Sequence, residues 1–547
     1  MNTRRILPLF LVLLAVAPPL RADTVPLLEG LGSHSRPITT RSPEAQRYFD
    51  QGFNLLFGFN HGMAIRSFEE AARLDPTCAM AHWGIALACG PHINFPAVPP
   101  PRAAQAWREL ELARQHAAGA TPVERALIAA LGARYANPQP EDRMPLDQAY
   151  ADAMRRAWQA YPDDADIGAL FAESLMDLRP WDQWTPEGTA QPGTDEVIAV
   201  LDAVLKLNER HPFANHLHIH AVEASPRPEL AIDAADRLRT LQPGLAHNVH
   251  MPSHIDIRVG QWHKAIESNL DAIAADQRYR AVVGPPRDFL VVYAAHNRHM
   301  LAWAAMMTGQ SELALREIRT MVEEIPPEIL QEWAPMLEFL GAMPFEVLIR
   351  FGRWDDILAA PDRYPEHMPF TKAARHAARA IALSAKGDPA AARAAQKEFT
   401  AAILRIPEGT TVSNNTAGMV LAVMRPMVEG EILLREGELD AGFAALREAI
   451  EAEDKLRYDE PPGWILPVRH ALGASLMAHG RHAEAAQVYR DDLARLPENG
   501  WSLFGLASAL TQQGRHGEAA NYFARFKKVW AKADVTISSS CFCQPGT

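Results

Sequence analysis

Histidine is the residue type whose placement could do chemistry here. Three segments carry it at helical spacing: F-A-N-H-L-H-I-H-A-V-E over 213–223, H-N-V-H-M-P-S-H over 247–254 and H-N-R-H-M-L-A-W over 296–303. Phe213, His216, His220 and Glu223 stand at i, i+3, i+7 and i+10; His247, His250 and His254 repeat the first three steps, and His296, His299, Trp303 and Met306 all four. That spacing is one continuous stripe on an α-helix. Seven of the twelve stripe places are histidine in a chain with 21 histidines among 547 residues, so composition does not account for the stripe.

His216/His220 and His250/His254 are i, i+4 pairs, with Cβ atoms about 5–6 Å apart on one helix face. Such a pair can chelate a metal ion. Glu223 follows His220, and Glu173 lies on an earlier helix in a matching place; either can supply an oxygen ligand or a general base. The candidate ligand set is Glu173, His216, His220, Glu223, His247, His250, His254, His296 and His299. Many imidazoles, few carboxylates and the nearby Met306 and Met307 favour a transition metal, copper ahead of zinc, over magnesium or calcium. The histidines outnumber one tetrahedral site, so two ions fit, and a two-copper site suits oxidase or oxygenase chemistry. His220 and His254 are expected to share a metal across neighbouring helices.

The alternative is a metal-free scaffold whose polar groove holds a peptide, a partner protein or a small molecule. His211, His263, His482 and His516 lie off the stripe and read as packing or surface residues; His218, one residue off it, reads as packing. Pro252 falls inside the second segment, where it either starts a helix late or kinks one and re-aims His250.

The helices that carry these residues come in register. His216 to His250, His220 to His254 and Ala231 to Ala265 are each 34 residues apart, as are Leu472/Leu506, Gly480/Gly514 and Ala485/Ala519 near the other end. A fixed period of this length with two helices per unit is a repeat signature. Tyr48, Gly52, Leu55, Ala64, Phe68, Ala71 and Pro76 have the large–small–large pattern of the tetratricopeptide consensus, and the chain resembles that family over most of 44–530. The phrases N-H-L-H-I-H-A-V-E-A-S and H-M-P-S-H-I also resemble an exported bacterial subgroup with a His-rich groove. The resemblance implies an all-α helical solenoid whose first helices line a concave groove, so that the stripe faces into it. The expected divisions are a signal peptide at 1–22, a lead-in at 23–43, the solenoid with insertions at 44–530 and a tail at 531–547.

Residues 1–22 have Arg4 and Arg5, an apolar run from Ile6 to Ala17 and a small residue, Ala22, the order of a cleaved export signal. The expected location is periplasmic or secreted. No later stretch reads as a membrane span. The net charge of −12 and the lack of a basic tract argue against a nucleic-acid partner. Cys78 and Cys89 would lie too far apart on one helix to bridge. Cys541 and Cys543 form C-x-C in a tail that reads as a disordered end, with a soft-metal or redox pair as the other reading. The Trp- and Pro-rich loop 179–193 is expected to fold over the groove.

Overall fold

Local signals start the helices where the sequence places them. The first, Pro43–Phe57, has Pro43 in its first turn and the Ser42 hydroxyl accepting from the Ala45 N–H. Thr121 and Glu124 form a reciprocal capping box ahead of Pro122–Leu131. A computed structural model describes residues 25–285 and 289–543 as helix after helix, with a single two-residue hairpin, Thr411–Val412 against Asn415–Thr416, as the only named sheet among them. The fold is an all-α solenoid of antiparallel helix pairs. The expected export signal lies outside the described residues.

One packing device recurs at both ends of the array. The Phe68 ring is wedged between Gly52 and Gly84, where an added Cβ would stand 2.7 and 2.6 Å from ring carbons. The Tyr489 ring is wedged in the same way between Gly473 and Gly505, at 2.4 and 2.3 Å. In each case an aromatic on the second helix of a pair fills space left by glycines on the first helix and on the next pair's first helix. This is the close approach that the large–small–large pattern encodes.

The core forms two clusters, one running from Leu31 to Tyr293 and the other from Ile257 to Cys543. Each part of the chain curls until its ends meet. In the first, the Gly244 N–H donates to Gly30 O at 2.8 Å, and Gln242 donates to Leu31 O and Asn54 Oδ1. In the second, Trp262 Nε1 donates to Pro497 O, Trp501 Nε1 to Met306 O, and Asp534 accepts from the Ser311 and Glu312 N–H groups. The histidine-bearing helices lie where the two lobes join.

The tail corrects an expectation: up to Cys543 it is packed, not disordered. Phe542 lies against Gly352 and Trp501, and Ser540 bonds Tyr489 and the His470 carbonyl. Cys541 and Cys543 are buried and joined as a disulfide, while Cys78 and Cys89 are buried free thiols.

Candidate metal centre

Four helical segments present the imidazoles. His211 caps Pro212–Val222, its Nδ1 accepting from the Ala214 N–H, and this helix carries His216 and His220. The second stripe is broken in two, Ala246–His250 and Pro252–Arg258, with only Met251 between them. Pro252 therefore starts a helix and also interrupts the hydrogen-bond ladder, so His250 and His254 sit on separate segments. Leu290–Met307 carries His296 and His299.

The side chains gather into two groups of three, one of His216, His220 and His247 and the other of His250, His254 and His296. Within each group the ligating atoms lie within 4.8 Å of one another. His216 Nε2 is 3.1 Å from His247 Nε2; His254 Nε2 is 2.7 Å from His250 Nε2 and 3.5 Å from His296 Nε2. Metal–nitrogen bonds of 2.0–2.1 Å place tetrahedral neighbours about 3.3 Å apart, a value that these spacings bracket. His220 Nε2 is buried without a hydrogen-bond partner among the described residues.

On four of the six rings the opposite nitrogen is anchored, whereas His247 Nδ1 is buried without a partner among the described residues. His216 Nδ1 meets Phe57 O at 2.8 Å, and His250 Nδ1 meets Asn269 Oδ1 at 2.7 Å. His220 Nδ1 and His254 Nδ1 both meet the Glu223 carboxylate, at 2.7 and 2.5 Å. Holding Nδ1–H on an acceptor fixes the tautomer that leaves Nε2 free for a metal. Glu223 is thus the shared anchor of both groups, and with His254 and Glu460 it forms a further cluster whose ligating atoms lie within 4.8 Å of one another. Burial would raise its carboxyl, but His254 and His220 hold it below the usual carboxylate range. Burial, reinforced by neighbouring imidazoles, pushes His216, His247, His250 and His296 well below the ordinary histidine value. Neutral imidazole is the ligand form.

The stripe thus converges, but the expected pairing is different: His220 and His254 belong to different groups, with ring centroids 5.8 Å apart, and meet through Glu223. His299 joins neither group. It lies one turn beyond His296 on the cavity wall, its Nε2 unpartnered, and burial lowers it to about 3. Glu173 is also elsewhere, buried near Arg134 and raised to about 7 by burial. His211 and His218 are packing residues bonded to Asp166 and paired with Asp202.

Both groups border a cavity of about 190 Å³, reached by His220 and His247 of the first and His254 and His296 of the second. Its remaining wall is largely apolar, with Phe289, Leu337, Phe339, Leu340 and Val412 among the lining residues. Trp181, from the loop expected to cover the groove, meets His220 edge-on at 5.3 Å, and Tyr293 packs on His247 at 4.5 Å. Asn94 ties them together, accepting from Trp181 Nε1 and donating to the Tyr293 hydroxyl. Glu460 was not foreseen: it is buried on the cavity wall, with Oε2 3.2 Å from His254 Nδ1. Burial raises its carboxyl well above the usual range, and Glu223 adds to this. Its one sequence signal is D-E-P-P-G at 459–463, an irregular stretch inside a helical array.

No protein-family model matches the chain, and no curated protein does. Among solved structures, the human IFIT1 dimer with m7Gppp-AAAA is 14% identical over 90% of this chain and 91% of its own, at a TM-score of 0.33. The Cut9–Hcn1 hetero-tetramer of the APC/C is 13% identical over 90% and 80%, at 0.36. Yeast Tom70 is 12% identical over 89% and 92%, at 0.30. At such scores nothing that those proteins bind carries over to this chain.

Proposed function

We propose that this chain is an exported binuclear copper protein that oxidises a small organic molecule held in the inner cavity, with dioxygen as the oxidant that takes up the electrons. One ion is held by Nε2 of His216, His220 and His247, the other by Nε2 of His250, His254 and His296. The observation that carries this reading is the two triads of largely buried imidazoles, with Nδ1 anchored on four of the six rings and four of the rings bordering one cavity. Three nitrogen ligands would leave each ion with positions for water or a substrate. With an all-imidazole set and no carboxylate committed to the ions, copper is favoured over zinc. A cavity of about 190 Å³ holds a molecule of one ring, since about 150 Å³ holds benzene.

Elemental analysis of protein loaded with copper or zinc and then desalted tests the reading. The expected result is two copper ions per chain, retained more tightly than zinc. His220→Ala and His254→Ala should each lower the retained copper. No retained metal leaves the metal-free scaffold with a peptide or partner in its groove. Export is tested by mass spectrometry of protein from its native host, which should begin near Asp23.

A further inference from the structure

Beside the inner cavity lies a second, larger chamber of about 550 Å³, which shares Trp181, Asp459, Glu460 and Pro462 with it. Its wall holds hydrogen-bond donors that the protein does not use. Trp303 and Trp464 are almost fully buried, and neither indole N–H finds an acceptor among the described residues. Arg258 Nε is buried and unpartnered too. The Arg258 guanidinium donates through Nη2 to Ser225 O and lies over the Tyr458 ring at 5.5 Å. Among the described residues it forms no ion pair, whereas Arg469 and Arg495 on the same wall are both neutralised by Asp454.

A largely buried guanidinium with no carboxylate in contact, Glu460 and Glu223 acting on it only from farther off, and two buried N–H groups without acceptors are each costly unless something arrives to satisfy them. The missing partner must be an acceptor and an anion. A carboxylate meets both needs and matches the planar fork of arginine. None of the acidic groups on the same wall, Glu453, Asp454, Asp459, Glu460 and Asp492 among them, forms an ion pair with Arg258 among the described residues. The aromatic faces of Trp181, Trp184 and Tyr458 favour a flat apolar body behind the charged end.

We propose that the outer chamber is a binding site for an organic monocarboxylate with an aromatic body, its carboxylate on Arg258 and the indole N–H groups of Trp303 and Trp464. Arg258 ends the helix that also carries His254, so a molecule held there stands next to the inner cavity. The site does not depend on metal.

Calorimetric titration of the full, copper-free chain with phenylacetate and with its neutral isostere phenylacetamide tests this. Phenylacetate should bind at least tenfold more tightly than the amide, and Arg258→Gln should abolish that preference. Trp464→Phe keeps the ring but removes the N–H, and should weaken phenylacetate several-fold; it decides the matter if the arginine variant does not fold. Equal binding of acid and amide, no binding of the acid, or an unchanged affinity in Trp464→Phe overturns the proposal. So does phenylacetate binding only after copper loading, which makes the carboxylate a metal ligand, or displacement by equimolar inorganic phosphate, which makes the site an unselective anion pocket.

Discussion

Glu223 holds two imidazoles with one carboxylate, which gives a sharper test than any single ligand. Glu223→Gln keeps the shape but cannot accept from both N–H groups as a charge. Affinity for both ions should fall by about 10- to 100-fold, read by competitive copper titration; loss at one site alone would refute the shared anchor. Glu346 offers a test away from the centre. It is buried, accepts from the Ile465 N–H, and burial raises it to about 8. A carboxyl raised in the fold contributes stability that is full below its unfolded value of about 4.5 and is lost as pH rises toward 8. Relative to wild type, Glu346→Gln should therefore gain melting temperature steadily from pH 5 to pH 8; a constant difference would mean that the group does not titrate in this window. The histidine stripe was legible because helical spacing alone aligns it. Its division into two triads was not, since that depends on the break at Met251–Pro252 and on how neighbouring helices cross. Glu460 was hidden for a plainer reason: it arrives from a loop far along the chain. Glu173 kept the right register, but it lies near Arg134, which no repeat pattern marks.

Among the elements, the glycine–aromatic–glycine wedges make a prediction about sign. Gly84→Ala puts a Cβ 2.6 Å from the Phe68 ring and should cost about 1–3 kcal/mol through overpacking. Gly517 is also helical but has nothing within 4 Å of an added Cβ and no positive φ. There Gly517→Ala should stabilise by about 0.5–1 kcal/mol through lost chain entropy. Denaturant unfolding of the two variants checks both directions, and a shared sign would contradict the packing account. Of these wedges the consensus spacing marked Gly52 and Phe68; the closing glycines, Gly84 and Gly505, come from the next pair's first helix and were not marked. The loop 179–193 was readable as an insertion folding over the groove, but not which residue it would deliver; Trp181 takes its place at the cavity through a tertiary contact with Asn94.

At the scale of the whole molecule, most of the helical array lies away from the triads, and its two hydrophobic clusters are built from apolar side chains. Stripping metal with a chelator should leave the far-ultraviolet circular dichroism essentially unchanged while lowering the melting temperature by linkage alone. Loss of the helical signal would make the metal structural. Closure of the two lobes has a longer-term consequence. An open repeat array touches only its neighbours and can gain or lose a unit with little penalty. Here Trp262 must meet Pro497, Trp501 must meet Met306 and Gly244 must meet Gly30. Duplicating or deleting one unit between such partners would pull the ends apart and open the cavity wall. Descendants of this chain are free to vary their loops, but the number of their units is frozen.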